Sequence, residues 1–327
     1  MFIMDTLIFM IIALAVFIDL LMGELPSKIH PVVWIGQSIY FLKQYLIKIK
    51  SKWSGFILTF VLTVFFALST IIILYYTSFN YIIYILISGI LLSTTFSIKM
   101  LIESSKDVAT NLSLNSEKAR QKVSYLVSRD TKNLEDSQLI SATIESLTEN
   151  ITDSITSPIL FAFIFGVPGA MFFRIVNTLD AMVGYKNEEN ALIGWFPAKL
   201  DDILNYIPAR VTGLIIVIAA FILRMNWRNS FRIMMRDARN SPSPNSGFTM
   251  AAAAGALEIQ LEKPNVYLIG DNKKNLNIET IHAAIKLTKM AVFLFLIISI
   301  SFFALIYYLI SIYLICSENN ILFKIFY

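Results

Sequence analysis

Long uncharged apolar runs alternate along this chain with shorter polar segments. No charged residue occurs between Trp53 and Ile98, which is enough for two helical spans of about 20 residues each, with a turn at Thr77–Asn80. Met290–Ser317 is another uncharged run, and Phe2–Met22 is apolar apart from Asp5 and Asp19. The pattern predicts a helical hairpin between an N-terminal and a C-terminal span. Two shorter apolar pieces, 154–173 with GVPG at 166–169 and 211–223, interrupt the polar middle of the chain. If both crossed a membrane, the loop 174–210 would be stranded outside, yet Arg174, Lys186, Lys199 and Arg210 make it basic and draw it to the cytoplasm. Re-entrant or buried helices are therefore favoured there, with six full spans as the alternative. The expected fold is an all-α integral membrane protein of about four to six transmembrane or re-entrant helices with a large cytoplasmic polar region. Its divisions are N-terminal membrane helices at 1–101, a motif-bearing region at 102–289 and a C-terminal transmembrane helix at 290–327.

Periodicity also picks out ESLTENITDSITSP at 145–158. Glu145, Glu149 and Asp153 stand four apart, and each helical step of four rotates only about 40°, so they form one stripe. Ile144, Leu147, Ile151 and Ile155 fall at spacings of three and four on another face. Neighbouring carboxylates repel one another unless a cation neutralises them, which makes a divalent metal the natural first guess. A solvated acidic helix face is the plain alternative.

Composition agrees with the membrane reading. The chain is 56% hydrophobic and 15% charged, against about 25% charged in soluble proteins, and its mean hydropathy is +0.66. No basic leader or small-residue cleavage site precedes the first apolar run, so it is not read as a removable signal peptide. Lysines and arginines crowd the segments after the first span and after the hairpin, from Lys28 to Lys52 and from Lys99 to Lys132. Both segments are expected on the cytoplasmic side and the uncharged hairpin turn outside. A net charge of +4, interleaved with acids, gives no reason to expect nucleic acid as a partner. The one cysteine, Cys316, and two histidines, His30 and His282, exclude an intramolecular disulfide and a cysteine or histidine metal cluster. Oxygen ligands and a magnesium-like ion remain.

Further polar clusters fall in the same region. SRDTKNL at 128–134 holds Arg129, Asp130, Thr131 and Lys132; NTLDAMVGYK at 177–186 holds Asn177, Asp180, Tyr185 and Lys186. LDDILNYIPAR at 200–210 joins Asp201, Asp202 and Asn205 to Arg210, and ARNSPSPNSG at 238–247 precedes the alanine-rich AAAAGAL. Each has a structural explanation: an Asp202–Arg210 pair, a helix cap at SPSPNSG, interfacial anchors in Tyr185 and Trp195. The arginines at 224, 228, 232, 236 and 239 read as a positive-inside band. Their concentration on one membrane side suits phosphate and metal better than scattered solvated charge.

These motifs, with DLLMGELPSKIHPVVWIGQSI at 19–39 and AAAAGALEIQLEKPNVY at 251–267, resemble in order the CobD/CbiB family, the cobalamin-biosynthesis membrane proteins known as adenosylcobinamide-phosphate synthase. The resemblance runs from about residue 19 to 270, with small departures: Ser128 for a glycine, Glu24 for an aspartate and Lys199 for an arginine. It implies ATP-dependent amide ligation of adenosylcobyric acid with (R)-1-aminopropan-2-ol or its O-phosphate. A carboxylate reacts with an amine only after activation, so phosphoryl transfer from ATP is expected to form an acyl phosphate, with Mg2+ and basic groups spreading the charge. No GxxxxGK[ST] motif is present to hold the ATP.

By chemistry type and motif position, Glu145, Glu149, Asp153, Asp180 and Asp201 are the candidate metal ligands. Glu145, Glu149, Asp180 and Asp202 are the candidate catalytic groups, Asp202 as proton acceptor from the attacking ammonium. Arg129, Lys132, Lys186, Arg210 and Arg239 are expected to neutralise phosphates, and Asn177 and Asn245 to orient oxygens. The corrinoid is expected to lie across the cytoplasmic face, with His30 a turn or interface residue and not a cobalt ligand. The implied partners are the corrinoid, the amine, the lipid bilayer and other enzymes of cobalamin assembly, at the plasma membrane. A transporter or a non-enzymatic scaffold for corrinoid assembly is the alternative class, and a diphosphate-using membrane transferase a further one.

Overall fold

A computed structural model of the chain describes residues 2–185 and 187–318. Thirteen α-helices are found among them: α1 Phe2–Met22, α2 Pro31–Leu46, α3 Lys52–Thr77, α4 Tyr81–Ser93, α5 Ile98–Leu114, α6 Ser116–Ser124, α7 Asp136–Ile151, α8 Ser157–Val183, α9 Trp195–Leu204, α10 Tyr206–Ile222, α11 Trp227–Asp237, α12 Ser246–Leu257 and α13 Ile278–Glu318. A π-turn, Thr152–Thr156, joins α7 to α8. The all-α reading holds, apart from one short antiparallel hairpin that the sequence analysis did not foresee, β1 Gln260–Lys263 with β2 Tyr267–Gly270.

The expected hairpin is α3 and α4. Asn80 caps α4 by accepting from the amides of Ile82 and Ile83, so the turn falls where the uncharged pattern predicted it. Phe60, Phe65, Leu68 and Ile72 on α3 are exposed, as a lipid-facing helix surface requires. The chain after α1, expected as a loop, contains α2. His30 is its N-cap, with Nδ1 accepting from the Val32 amide at 3.2 Å, which makes it the turn residue expected. Asp19, an acid inside the first apolar run, accepts from the amides of Ile98 and Lys99 at 3.0 Å and thereby satisfies the start of α5.

By length and apolarity, four helical stretches can cross a membrane: Lys52–Thr77, Tyr81–Leu114, Asp136–Val183 and Ile278–Tyr313. A fifth is α9 with α10 taken together across a 46° bend. Asp136–Val183 is not one straight rod. Gly166 has φ 69° and ψ −168°, a conformation open to glycine and costly for other residues. The rings of Phe161 and Phe173 lie 5.3 Å apart, whereas twelve residues of continuous helix would separate them by roughly 18 Å. The chain folds back on itself at Gly166, and this turn lines one apolar cavity with Tyr75 and Ser78 at the far end of α3. Segment 174–210 thus returns to the side from which 136–153 enters, as the charge pattern required.

The apolar residues form three cores. One joins Ile12, Leu92, Ile155, Phe163, Ile216 and Phe295 among the apolar helices. A second gathers Val123, Leu139, Leu147, Ile233, Ala251 and Ile285 under the polar region, and a third packs Ile35 and Leu58 on Ile175 and Leu179. The α7 helix passes from the second core to the first between Leu147 and Ile151. Glu149 and Asp153 therefore stand at the seam, where the membrane bundle meets its polar cap.

Candidate active site

Folding at Gly166 brings the end of α8 back beside its beginning, so Asp180 faces the π-turn that holds Asp153. Widened π-turns concentrate at functional sites because the extra residue re-aims the side chains that follow. Beyond the turn, Ser157 Oγ donates to Asn205 Oδ1 at 2.6 Å, and Asn205 Nδ2 donates to Asp201 Oδ2 at 2.9 Å. Asn177 Nδ2 donates to the other Asp201 oxygen at 3.3 Å. Both arms of α8 are thus tied to α9 and the α9–α10 junction around one buried carboxylate.

The result is a cavity of about 810 Å³ whose wall includes Glu149, Asp153, Asp180, Asp201 and Asp202 together with Arg210 and Arg239. Loop 241–246 closes it: Asn245 Nδ2 donates to the Asp202 carbonyl at 2.8 Å, and Arg210 donates to Asn245 Oδ1 at 3.2 Å. The Arg210 guanidinium lies over the rings of Tyr206 and Phe248, 3.4 and 4.3 Å from their centroids, which fixes its plane. Gly184 also lines the cavity, and a Cβ there would collide with the Asp180 carboxylate.

A smaller cavity, about 280 Å³, adjoins the first and shares Glu149 and Tyr185 with it. Arg129, Glu145, Asn150, Lys263 and Tyr267 also line it. Glu145 accepts from three protein donors: Arg129 at 3.1 Å, Ser141 at 2.7 Å and the Tyr267 hydroxyl at 2.7 Å. Burial, and then the Glu145 carboxylate beside it, push the Tyr267 hydroxyl above its ordinary pKa, so it stays a donor.

The acidic stripe is therefore divided. Glu149 and Asp153 reach the large cavity with Asp180 and Asp201, whereas Glu145 is spent on Arg129 and does not join them. Of the five expected metal ligands, the large cavity brings Glu149, Asp153, Asp180 and Asp201 together, and Glu145 lines the smaller one. Among the described residues no three histidine, cysteine, aspartate or glutamate side chains converge on one ion position. The donors are all hard oxygens, which suits magnesium held by one or two carboxylates and completed by substrate phosphate and water. It does not suit an ion caged by protein alone.

Asp202 pairs with Lys199 at 3.2 Å, not with Arg210. Asn177 and Asn245 orient protein groups, the first behind Asp201 and the second between Arg210 and Asp202. Lys132 is exposed and lines neither cavity, so its assignment to a phosphate is not supported by position. Lys186 lies outside the described residues. Sequence reasoning missed Lys263 and Arg174. Arg174 sits in the returning arm of α8, interacts with Asp153 and Glu24 and has Nε buried without a partner. An arginine within an apolar run, GAMFFRIV, was the available signal, since intramembrane charge is costly unless it has a function.

The fold and this site define a polytopic helical membrane protein with a polar, two-chambered cavity at the seam between its bundle and its polar cap. The chain matches the family described as CobD/Cbib protein over residues 12–294, and it belongs to that family, whose role lies in cobalamin biosynthesis. It is 51% identical over 288 residues, covering 87% of this chain and 94% of the relative, to the Methanothermobacter thermautotrophicus protein named "Probable cobalamin biosynthesis protein CobD". It is 39% identical over 312 residues, 90% of this chain and 96% of the relative, to the Leptospira interrogans "Cobalamin biosynthesis protein CobD". A Clostridium perfringens protein of that same name is 36% identical over 296 residues, 86% of this chain and 94% of the relative. No solved structure matches the chain.

Proposed function

We propose that this membrane protein is the acid–amine ligase of the pathway, joining adenosylcobyric acid to (R)-1-aminopropan-2-ol or its O-phosphate at the expense of ATP. The observation that supports the reading is the large cavity, lined by five carboxylates, Glu149, Asp153, Asp180, Asp201 and Asp202, together with Arg210 and Arg239. That pairing of hard anionic donors with guanidinium groups is what an ATP–magnesium complex needs. Its volume lies within the range of small-ligand pockets, about 300–1,000 Å³, so it suits a nucleotide and excludes the bulk of a corrinoid. The corrinoid ring would lie across the cytoplasmic face, inserting only its free side-chain carboxylate.

Bound magnesium would supply charge neutralisation on the phosphates, with Glu149, Asp153, Asp180 and Asp201 as its candidate holders. Arg210, held flat between Tyr206 and Phe248, would clamp a phosphate with little loss of side-chain entropy. The corrinoid carboxylate attacks the γ-phosphorus and displaces ADP. The amine nitrogen then attacks the acyl carbon of the resulting acyl phosphate and expels inorganic phosphate. Asp202, on the cavity wall and paired only with the exposed Lys199, would accept the ammonium proton. The basic segments that surround the site support a cytoplasm-facing orientation, and we place the protein in the plasma membrane.

The test is amide formation by membranes carrying the protein, supplied with adenosylcobyric acid, Mg-ATP and the amine, with mass spectrometry of the product. The reading predicts product that needs both ATP and magnesium. Transport of corrinoid without a new bond would replace it with the transporter reading.

A further inference from the structure

The α10 and α11 helices meet at a corner, 223–226, whose hydrogen bonds define it. The Met225 amide donates to the Ala220 carbonyl at 2.8 Å and the Arg224 amide to the Phe221 carbonyl at 3.1 Å, the paired bonds that end a helix on a left-handed residue. That residue is Arg224, with φ 57°. Glycine is the usual occupant of such a position and a side chain costs energy there, so the turn itself does not call for an arginine.

One apolar face runs around this corner. Leu214, Ile218 and Phe221 are exposed along α10, and Trp227, Phe231 and Met235 along α11. The rings of Phe221 and Trp227, 5.7 Å apart, join the two stripes. Consecutive residues of α11 pack into different cores, Ile233 into that of the polar cap and Met234 into that of the membrane bundle. The helix therefore lies along the seam, at the depth of the lipid headgroups. The neighbouring acids are engaged by other bases: Asp237 and Asp271 by Arg236, Asp271 also by Arg232, and Glu258 by Lys274. Arg224 and Arg228, both exposed, form no ion pair among the described residues. The Arg228 guanidinium lies 5.4 Å from the Trp227 ring centroid, which keeps its charge beside the apolar face.

We infer that this corner is a binding site for anionic membrane lipid, with the headgroup phosphate between Arg224 and Arg228 and the acyl chains along the exposed stripe of α10. Charge complementarity selects the occupant, because two unpaired guanidinium groups meet a phosphate that the apolar face already holds at the right depth. A zwitterionic lipid carries the same phosphate, but its own cation cancels the charge. A soluble protein partner would have to displace lipid from a stripe that is continuous with the surface of the bundle. The site stands apart from the ligase reading, since it needs neither nucleotide nor corrinoid.

The test uses the full chain reconstituted in phosphatidylcholine vesicles doped with a minor fraction of lipid brominated on its acyl chains, either phosphatidylglycerol or phosphatidylcholine. Bromine quenches tryptophan fluorescence at contact, and subtracting the signal of Trp227→Phe isolates Trp227 from the rest of the chain's four tryptophans. At equal mole fraction, brominated phosphatidylglycerol is expected to quench Trp227 at least about threefold more than brominated phosphatidylcholine. Arg224→Asn combined with Arg228→Gln is expected to erase the difference, and Arg228→Lys, which keeps the charge, to retain most of it. Asparagine accepts the left-handed conformation, so Arg224→Asn is expected to leave the melting temperature in detergent unlowered. Equal quenching of wild-type Trp227 by the two lipids would overturn the site, and that comparison stands whether or not the double variant folds. A preference that survives in a folded double variant would overturn it as well. Trp227 quenched by neither lipid would mean that protein covers the face, which also excludes the lipid.

Discussion

At the scale of single residues, one side chain and one buried ion pair give predictions that do not depend on turnover. Burial holds the His30 imidazole below its ordinary pKa, with Glu24 opposing that shift and Arg174 reinforcing it. The unfolded chain binds the proton more readily, so stability falls as pH drops below the unfolded value of about 6.5. Asparagine caps helices well and does not titrate. Melting curves in detergent between pH 8 and pH 5 are therefore expected to show wild type losing stability relative to His30→Asn as the solution is acidified. A constant difference across that range would refute this account of His30. The Arg129–Glu145 pair, whose side chains are 13% and 5% exposed, gives the second prediction. Removing one partner of a buried pair costs about 3–5 kcal/mol, so Glu145→Ala is expected to lower the melting temperature sharply. The double variant with Arg129→Met is expected to recover part of that loss. Glu145 was visible in the sequence as part of an acidic stripe, but its engagement by Arg129, Ser141 and Tyr267 was not. Those contacts join residues up to 122 positions apart in the chain, and helix periodicity carries no information at that range.

At the scale of elements, the decisive piece is the fold-back at Gly166. The sequence pattern showed an apolar run too awkward to cross once and a basic loop that had to return, and both features follow from this turn. A β-branched side chain at positive φ costs about 1–3 kcal/mol. Gly166→Val is expected to lower the melting temperature in detergent and to reduce the amount of folded protein recovered from membranes. The α11 helix is the second informative element. It exposes Trp227, Phe231 and Met235 in steps of four, beside Arg228, Arg232 and Arg236. That pairing of an apolar stripe with a basic one fits a helix lying in the membrane interface, and it gives the arginine band read from the sequence a structural form. The α2 helix and the β1–β2 hairpin were not legible. Pro31 at the start of α2 is a good first-turn residue, but the basic residues beside it dominated the reading, and four-residue strands carry too little alternation to register.

At the scale of the whole molecule, the account requires one sidedness. The 115–134 segment, the turn after α8 and the cavity belong on the same face, and the α3–α4 turn on the opposite one. Single cysteines replacing Glu117, Glu188 and Ser78, all exposed, in a Cys316→Ser background would report this with a membrane-impermeant maleimide. Positions 117 and 188 are expected to label from one side and 78 from the other; labelling of 117 and 188 from opposite sides would rule out the fold-back. The membrane class, the family and most of the cavity's side chains were legible, because each lies in a short motif whose charge breaks an apolar pattern. The two-chambered arrangement was not. It depends on α7 crossing between two cores and on the β1–β2 hairpin delivering Lys263, both products of tertiary packing. The central claim is that ATP activates a carboxylate in the acidic chamber, and isotope transfer tests it most directly. With 18O in the free carboxylate of adenosylcobyric acid, the proposed chemistry predicts one labelled oxygen in inorganic phosphate for each amide formed, and a rate reduced by at least about 100-fold in Asp201→Asn. Departure of that labelled oxygen in AMP, or its release as water with none in inorganic phosphate, would contradict it.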